Sequence, residues 1–153
     1  MRSEPFCPHF GVCGGCKWQN LPYEEQLRFK TEQVRDQLTR IGKVALPEIK
    51  PCLGSAKQQF YRNKLEFTFA DKRWLTYEEI AAGGDIEREP ALGFHIPNCF
   101  DKVLDIDTCY LQAEPSNSIR TEVKRFCIEN GYSFHNCREH AGLMRNIIIR
   151  TAS

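Results

Sequence analysis

Three cysteines, Cys7, Cys13 and Cys16, fall in the run CPHFGVCGGC near the start of the chain. Five residues separate the first pair and two separate the second, with glycines filling the shorter gap. Thiolates this close in sequence can converge on one metal centre. Gly14 and Gly15 let the backbone turn tightly around it without a Cβ. A fourth ligand then has to come from further along, so the run demands a fold that returns to it.

A disulfide framework is the competing use of eight cysteines. The N-terminal MRSEPFCPHF has no apolar export core, the cysteines cluster unevenly, and 153 residues is long for a disulfide-stapled scaffold. Reduced thiols in a cytoplasmic protein fit better. No run approaches membrane-spanning length. A net charge of +1 gives no global pull on nucleic acid, so any such contact must be a local patch.

Asn20-Leu21-Pro22 opens a helix on which Tyr23, Leu27, Val34, Leu38 and Ile41 share one face, and Gly42 ends it. Val44 to Gly54, broken by Pro47 and Pro51, reads as a connector. Leu65, Phe67 and Phe69 then alternate with Lys64, Glu66 and Thr68 in the period of a half-buried strand. Lys72–Pro90 reads as a long hairpin insertion. Ala91–Ile96 and Lys102–Ile106 are further strands. A second helix follows Pro115, with Ile119, Val123, Phe126 and Cys127 inward and Gly131 as its stop. Met144–Thr151 is a closing strand. The pattern predicts an α+β fold: a largely antiparallel sheet, two main helices and an N-terminal cysteine-rich loop, divided as 1–21 and 22–153. An isoleucine-rich strand so close to the last residue suggests a piece of a longer protein.

Pro8 directly after Cys7, as iron–sulfur cysteines often have, and a single C-x2-C pair favour a cubane cluster over zinc. His9 is read as a surface histidine. The fourth ligand is one of Cys52, Cys99, Cys109, Cys127 and Cys137. Cys127 lies on an apolar helix face and reads as a small core residue. Cys109, between a strand and a helix, is the best placed of the five.

CPHFGVCGGCKWQNLPYEEQLRFK resembles the cluster-binding segment of the RNA uracil-C5 methyltransferase family, in its 23S rRNA branch that carries a 4Fe–4S cluster. YRNKLEF, LGFH, DIDTCYL and GLMRNIIIR are similar to that family's central domain in the same order. The resemblance implies Cys7, Cys13, Cys16 and Cys109 as cluster ligands. It also implies an RNA-engaging central domain whose N-terminal β-barrel and C-terminal Rossmann-like domain lie outside this chain. The latter would bind S-adenosylmethionine and supply the nucleophile, so the chain alone is expected to be inactive and no catalytic residue is assigned within it. The implied partners are structured RNA, ribosomal ahead of transfer RNA, and the absent methyltransferase domain, in a monomer. Candidate RNA contacts are Arg62 and Lys64 on the first strand, Lys17 and Trp18 beside the cysteines, and Phe94 with His95. Arg145 and Arg150 flank the last strand. Trp18 is expected to pack on the cysteine loop. The alternatives are a zinc-stabilised binding module and a small iron–sulfur redox protein.

Overall fold

The computed structural model describes residues 2–152. The chain divides into two units, Met1–Pro8 with Trp18–Gln58, and His9–Lys17 with Gln59–Ser153.

The first unit is built on helix α1, Tyr23–Asp36, which runs on through a π-helical turn at Gln37–Ile41 to Gly42. Pro22 stands at its N-terminus without a side-chain cap. The Gln26 amide fastens the entry instead, donating to the Trp18 and Leu21 carbonyls at 3.0 and 2.8 Å. Glu24 and Glu25 at the start and Arg35 near the end complement the helix dipole. The connector lies along one stripe of α1. Ser55 N–H donates to the Tyr23 hydroxyl at 2.7 Å, Cys52 N–H donates to Thr31 Oγ1 at 2.9 Å, and Gly54 faces Leu27. The rest of the apolar face departs from expectation. Val34 is 47% exposed and Ile41 79%, and no α1 residue is buried.

In the second unit, β1 (Lys64–Ala70), β2 (Ala91–His95), β3 (Val103–Asp105) and β4 (Asn146–Arg150) form one antiparallel sheet in the order β3-β2-β1-β4. The predicted alternation holds on β1: Leu65, Phe67 and Phe69 are buried, whereas Lys64 and Glu66 are exposed. Leu92, Leu104, Ile106, Phe134 and Ile149 complete the core beside them. The expected α+β class, with a four-stranded antiparallel sheet, is what the structure contains.

The Lys72–Pro90 stretch connects antiparallel neighbours, as a hairpin does, but it carries a short helix, α2, Tyr77–Ala82. Its signal is local. Thr76 and Glu79 form a capping box, each side chain bonded to the other's backbone N–H. Arg73 grips the same carboxylate through two nitrogens, at 2.8 and 3.1 Å. The Arg73 bond first, then the Thr76 N–H, hold Glu79 well below the ordinary 4.5, at about 2. A lowered folded value stabilises above the ordinary one and is lost as protons bind. NMR shifts of Tyr77–Ala82 should therefore move toward coil values as pH falls from 4.5 to about 2, ahead of β1. Retention of helical shifts at pH 2 would show that the carboxylate does not hold α2.

The second main helix, α3, spans Ser116–Glu129. Its inward face is rotated from the predicted one. Ser116, Asn117, Arg120 and Cys127 are buried, with Val123 packed beside them, while Ile119 and Phe126 are 39% and 50% exposed. The buried stripe is polar because it serves backbone carbonyls and amides that reach no ladder partner. Ser116 Oγ donates to Gln112 Oε1 at 2.5 Å, and Gln112 Nε2 donates to the Ile149 carbonyl at 3.2 Å, tying α3 to β4.

Candidate metal centre and nucleic-acid face

The cysteine loop His9–Lys17 is held against the end of β2. Cys13 N–H donates to the His9 carbonyl at 2.9 Å and Gly14 N–H to the His95 carbonyl at 3.1 Å. A Cβ on Gly14 would lie 2.5 Å from that carbonyl oxygen, so only glycine lets the backbones meet. Gly15 N–H donates to Cys13 Sγ at 3.3 Å. Val12, Cys13 and Cys16, all partly buried, pack on the core cluster that contains Cys109.

Cys109 lies between β3 and α3, where the sequence places it. Asn117 brackets it: Oδ1 accepts Cys109 N–H at 2.8 Å and Nδ2 donates to its carbonyl at 3.2 Å. Arg120, 2% exposed, donates to the Ile106 carbonyl and, at 2.5 Å, to the Asp107 carbonyl, fixing the segment that leads into Cys109. Its guanidinium also lies 5.5 Å from the Phe67 ring centroid. Burial pushes Arg120 below its ordinary value, opposed by attraction from Asp105 first and Cys109 next. Asn117 and Arg120 are positioning residues that sequence reading missed. Their signal was a polar i, i+3 pair on a helix face that looked outward.

None of the eight cysteines, all among the described residues, is joined in a disulfide. Cys7 belongs to the first unit, where its N–H donates to Gln19 Oε1 at 3.2 Å. Cys13, Cys16 and Cys109 share the second unit's core, and Cys127 is a buried core residue there, as expected. Among the described residues, no three His, Cys, Asp or Glu side chains are gathered tightly enough to hold a metal ion. The donors nonetheless suit a soft metal or an iron–sulfur group. Cys13, Cys16 and Cys109 are thiols set on an apolar core, one of them accepting an N–H, which is the donor type such a group takes.

The proposed RNA contacts are dispersed. Arg62 precedes β1 rather than lying on it, exposed, its N–H bonded to the Leu111 carbonyl at 2.8 Å. Lys64 is exposed on β1 directly opposite Arg150 of β4. Like charges set across a strand pair repel. Lys17 is exposed, and His95 ends β2 with its side chain exposed. Phe94 packs inward, its ring centroid 5.0 Å from that of Phe67. Trp18 borders α1 of the first unit, the Lys30 ammonium lying 5.9 Å from its ring centroid. Arg145 accepts Phe69 N–H through its carbonyl.

No family model matches the chain. Over its whole length it is 58% identical to an uncharacterized RNA methyltransferase of Bacteroides thetaiotaomicron and 52% identical to one of Porphyromonas gingivalis, covering 34% of each. A further relative from Chlorobaculum tepidum, also an uncharacterized RNA methyltransferase, is 43% identical over 97% of the chain. The chain thus spans about a third of the length of the relatives it matches. Its structure matches the crystal structure of Pyrococcus abyssi tRNA (uracil-54, C5)-methyltransferase in complex with S-adenosyl-L-homocysteine. The TM-score is 0.60 at 26% identity, over 95% of this chain and 30% of that one. These likenesses support the RNA methyltransferase family. Among the described residues, no helix is long and apolar enough to cross a membrane.

Proposed function

We propose that this chain is the cluster-bearing, RNA-engaging central domain of an S-adenosylmethionine-dependent RNA uracil-C5 methyltransferase. The observation that carries the reading is the structural likeness, over 95% of the chain, to an enzyme that methylates uracil C5 in tRNA. In this reading the chain contributes binding and support, while the methyl donor and nucleophile belong to another domain, and the 153 residues alone are inactive. The protein works as a cytoplasmic monomer whose central domain contacts its methyltransferase domain.

Cys13, Cys16 and Cys109, with Cys7 added by the sequence spacing, are the proposed ligands of a 4Fe–4S cluster. Bound there, the group would act as a covalent tie between distant chain segments, closing a long loop. Asn117 and Arg120 position Cys109, and Gly14 and Gly15 let the loop thiols approach the sheet end. Lys64 and Arg150, repelling each other across β1 and β4, would take an RNA phosphate, with Arg62 beside them and Lys17 and His95 as further contacts.

The cysteine run favours 23S rRNA as substrate, and the structural likeness makes tRNA the competitor. The test is the full-length protein purified without oxygen. It should be brown, bleach in air and hold about four irons per chain, and it should transfer label from S-adenosylmethionine to C5 of a uridine in 23S rRNA. Cys109→Ser should lower the iron content. Label in tRNA alone would reassign the substrate. One zinc without iron would favour the zinc-stabilised module, and failure to methylate any RNA uracil would end the enzymatic reading.

A further inference from the structure

The second unit has a cleft of about 400 Å³ of which the preceding roles use only His95, at one edge. One wall is the end of β1 running into Asp71–Trp74, another is Asp101–Val103 at the start of β3, and a third is His135–Arg138. Arg88, from the far end of the Lys72–Pro90 connection, closes the rim.

The charges lining it are unevenly spent. Arg73 is held by Glu79, and Asp101 is held by Arg138. Asp71 accepts the Asn136 amide at 3.0 Å. Lys72, Arg88 and Lys102 make no salt bridge among the described residues, so even with the Asp71 charge set against them the cleft keeps a positive balance. Lys102 is held in place: its ammonium lies 4.4 Å from the Trp74 ring centroid, and that ring meets Tyr77 edge-on. His135 lines the same wall, its backbone fixed by Met144 and Asp71.

We propose that this cleft seats one unpaired RNA nucleotide, its phosphodiester on Lys72, Arg88 and Lys102. The inference rests on the RNA reading above and adds a place on the chain where RNA is gripped. The volume lies at the small end of ligand-sized cavities and suits one nucleotide. A nucleotide stacked inside a duplex cannot enter a concavity, whereas one splayed from a loop or bulge can.

The test compares full-length wild-type protein with a Lys72→Glu, Arg88→Glu double variant. Both residues are exposed and unpaired, so the fold should persist, with an unchanged circular dichroism spectrum. A charge-matched control carries Arg35→Glu and Lys50→Glu in the first unit. The probe is a stem-loop RNA titrated at several salt concentrations. The cleft variant should bind at least roughly tenfold more weakly than the control. Its salt slope should fall by about 0.7, the share of the one single-strand phosphate that the cleft no longer neutralises. Equal weakening in variant and control would overturn the cleft while leaving RNA binding intact. Wild-type protein that binds no RNA would overturn both readings. Uridine monophosphate binding as tightly as the stem-loop would make this a free-nucleotide site and overturn the proposal.

Discussion

Replacing Arg120 by methionine should destabilise the second unit by about 3 kcal/mol, read from the urea midpoint at constant slope. Methionine fills much of the same volume, so little of this comes from a void. What disappears is the pair of charge-assisted bonds to the Ile106 and Asp107 carbonyls. The Ile106 bond lies in buried surroundings where water cannot replace the donor. An opposing term exists, because a buried guanidinium is itself expensive to desolvate and methionine removes that cost. The bonds should win, since two acceptors and the path into Cys109 depend on one fork. Arg120→Lys should recover only part of the loss, because an ammonium cannot span both carbonyls with the geometry of a fork. A methionine variant more stable than wild type would mean that desolvation dominates and that the loop before Cys109 holds itself.

Gly93→Ala should be at least as damaging. Gly93 sits in β2 with Thr68 on one side and Asp105 on the other. A Cβ there would lie 2.0 Å from the Leu104 carbonyl oxygen and 3.3 Å from Ile106 Cγ1. The first obstacle is backbone in the adjoining strand, so no rotamer change relieves it. The sheet must open between β2 and β3, a loss of about 3 kcal/mol or more. For a chain of this size that lowers the melting temperature by roughly 6–12 °C. A variant melting within about two degrees of wild type would show that β3 moves freely. The short three-residue strand would then be a weak edge rather than part of the frame.

The sheet was legible because its information is local. Leu65, Phe67 and Phe69 alternate with polar neighbours, and burial follows that period residue by residue. Helix α3 was legible in extent but not in orientation. Ile119 and Phe126 looked inward by hydropathy, but the buried stripe contains Asn117 and Arg120, whose partners are carbonyls and amides of the Ile106–Cys109 loop. A hydropathy pattern cannot register a polar side chain whose partner is a distant backbone group. Helix α2 was missed although Thr76 and Glu79 carried its capping signature, because six residues stopped at once by Gly83-Gly84 read as part of a loop. Trp18 borders α1 through Lys30, a neighbour that adjacency in sequence did not signal. For the candidate site, Cys13 and Cys16 pack, partly buried, against the core that holds Cys109. The cleft around His135 was not legible, since its walls come from segments far apart in sequence.

The bond between Gly14 and His95 joins positions about eighty residues apart. A ribosome therefore releases the loop thiols well before the strand end that anchors them has been made. Until β2 is paired, Cys13 and Cys16 must wait reduced, unshielded by the hydrophobic interior. Oxidative damage to this protein should accordingly fall hardest on newly made chains, and a cell short of reductant would lose it during translation rather than after.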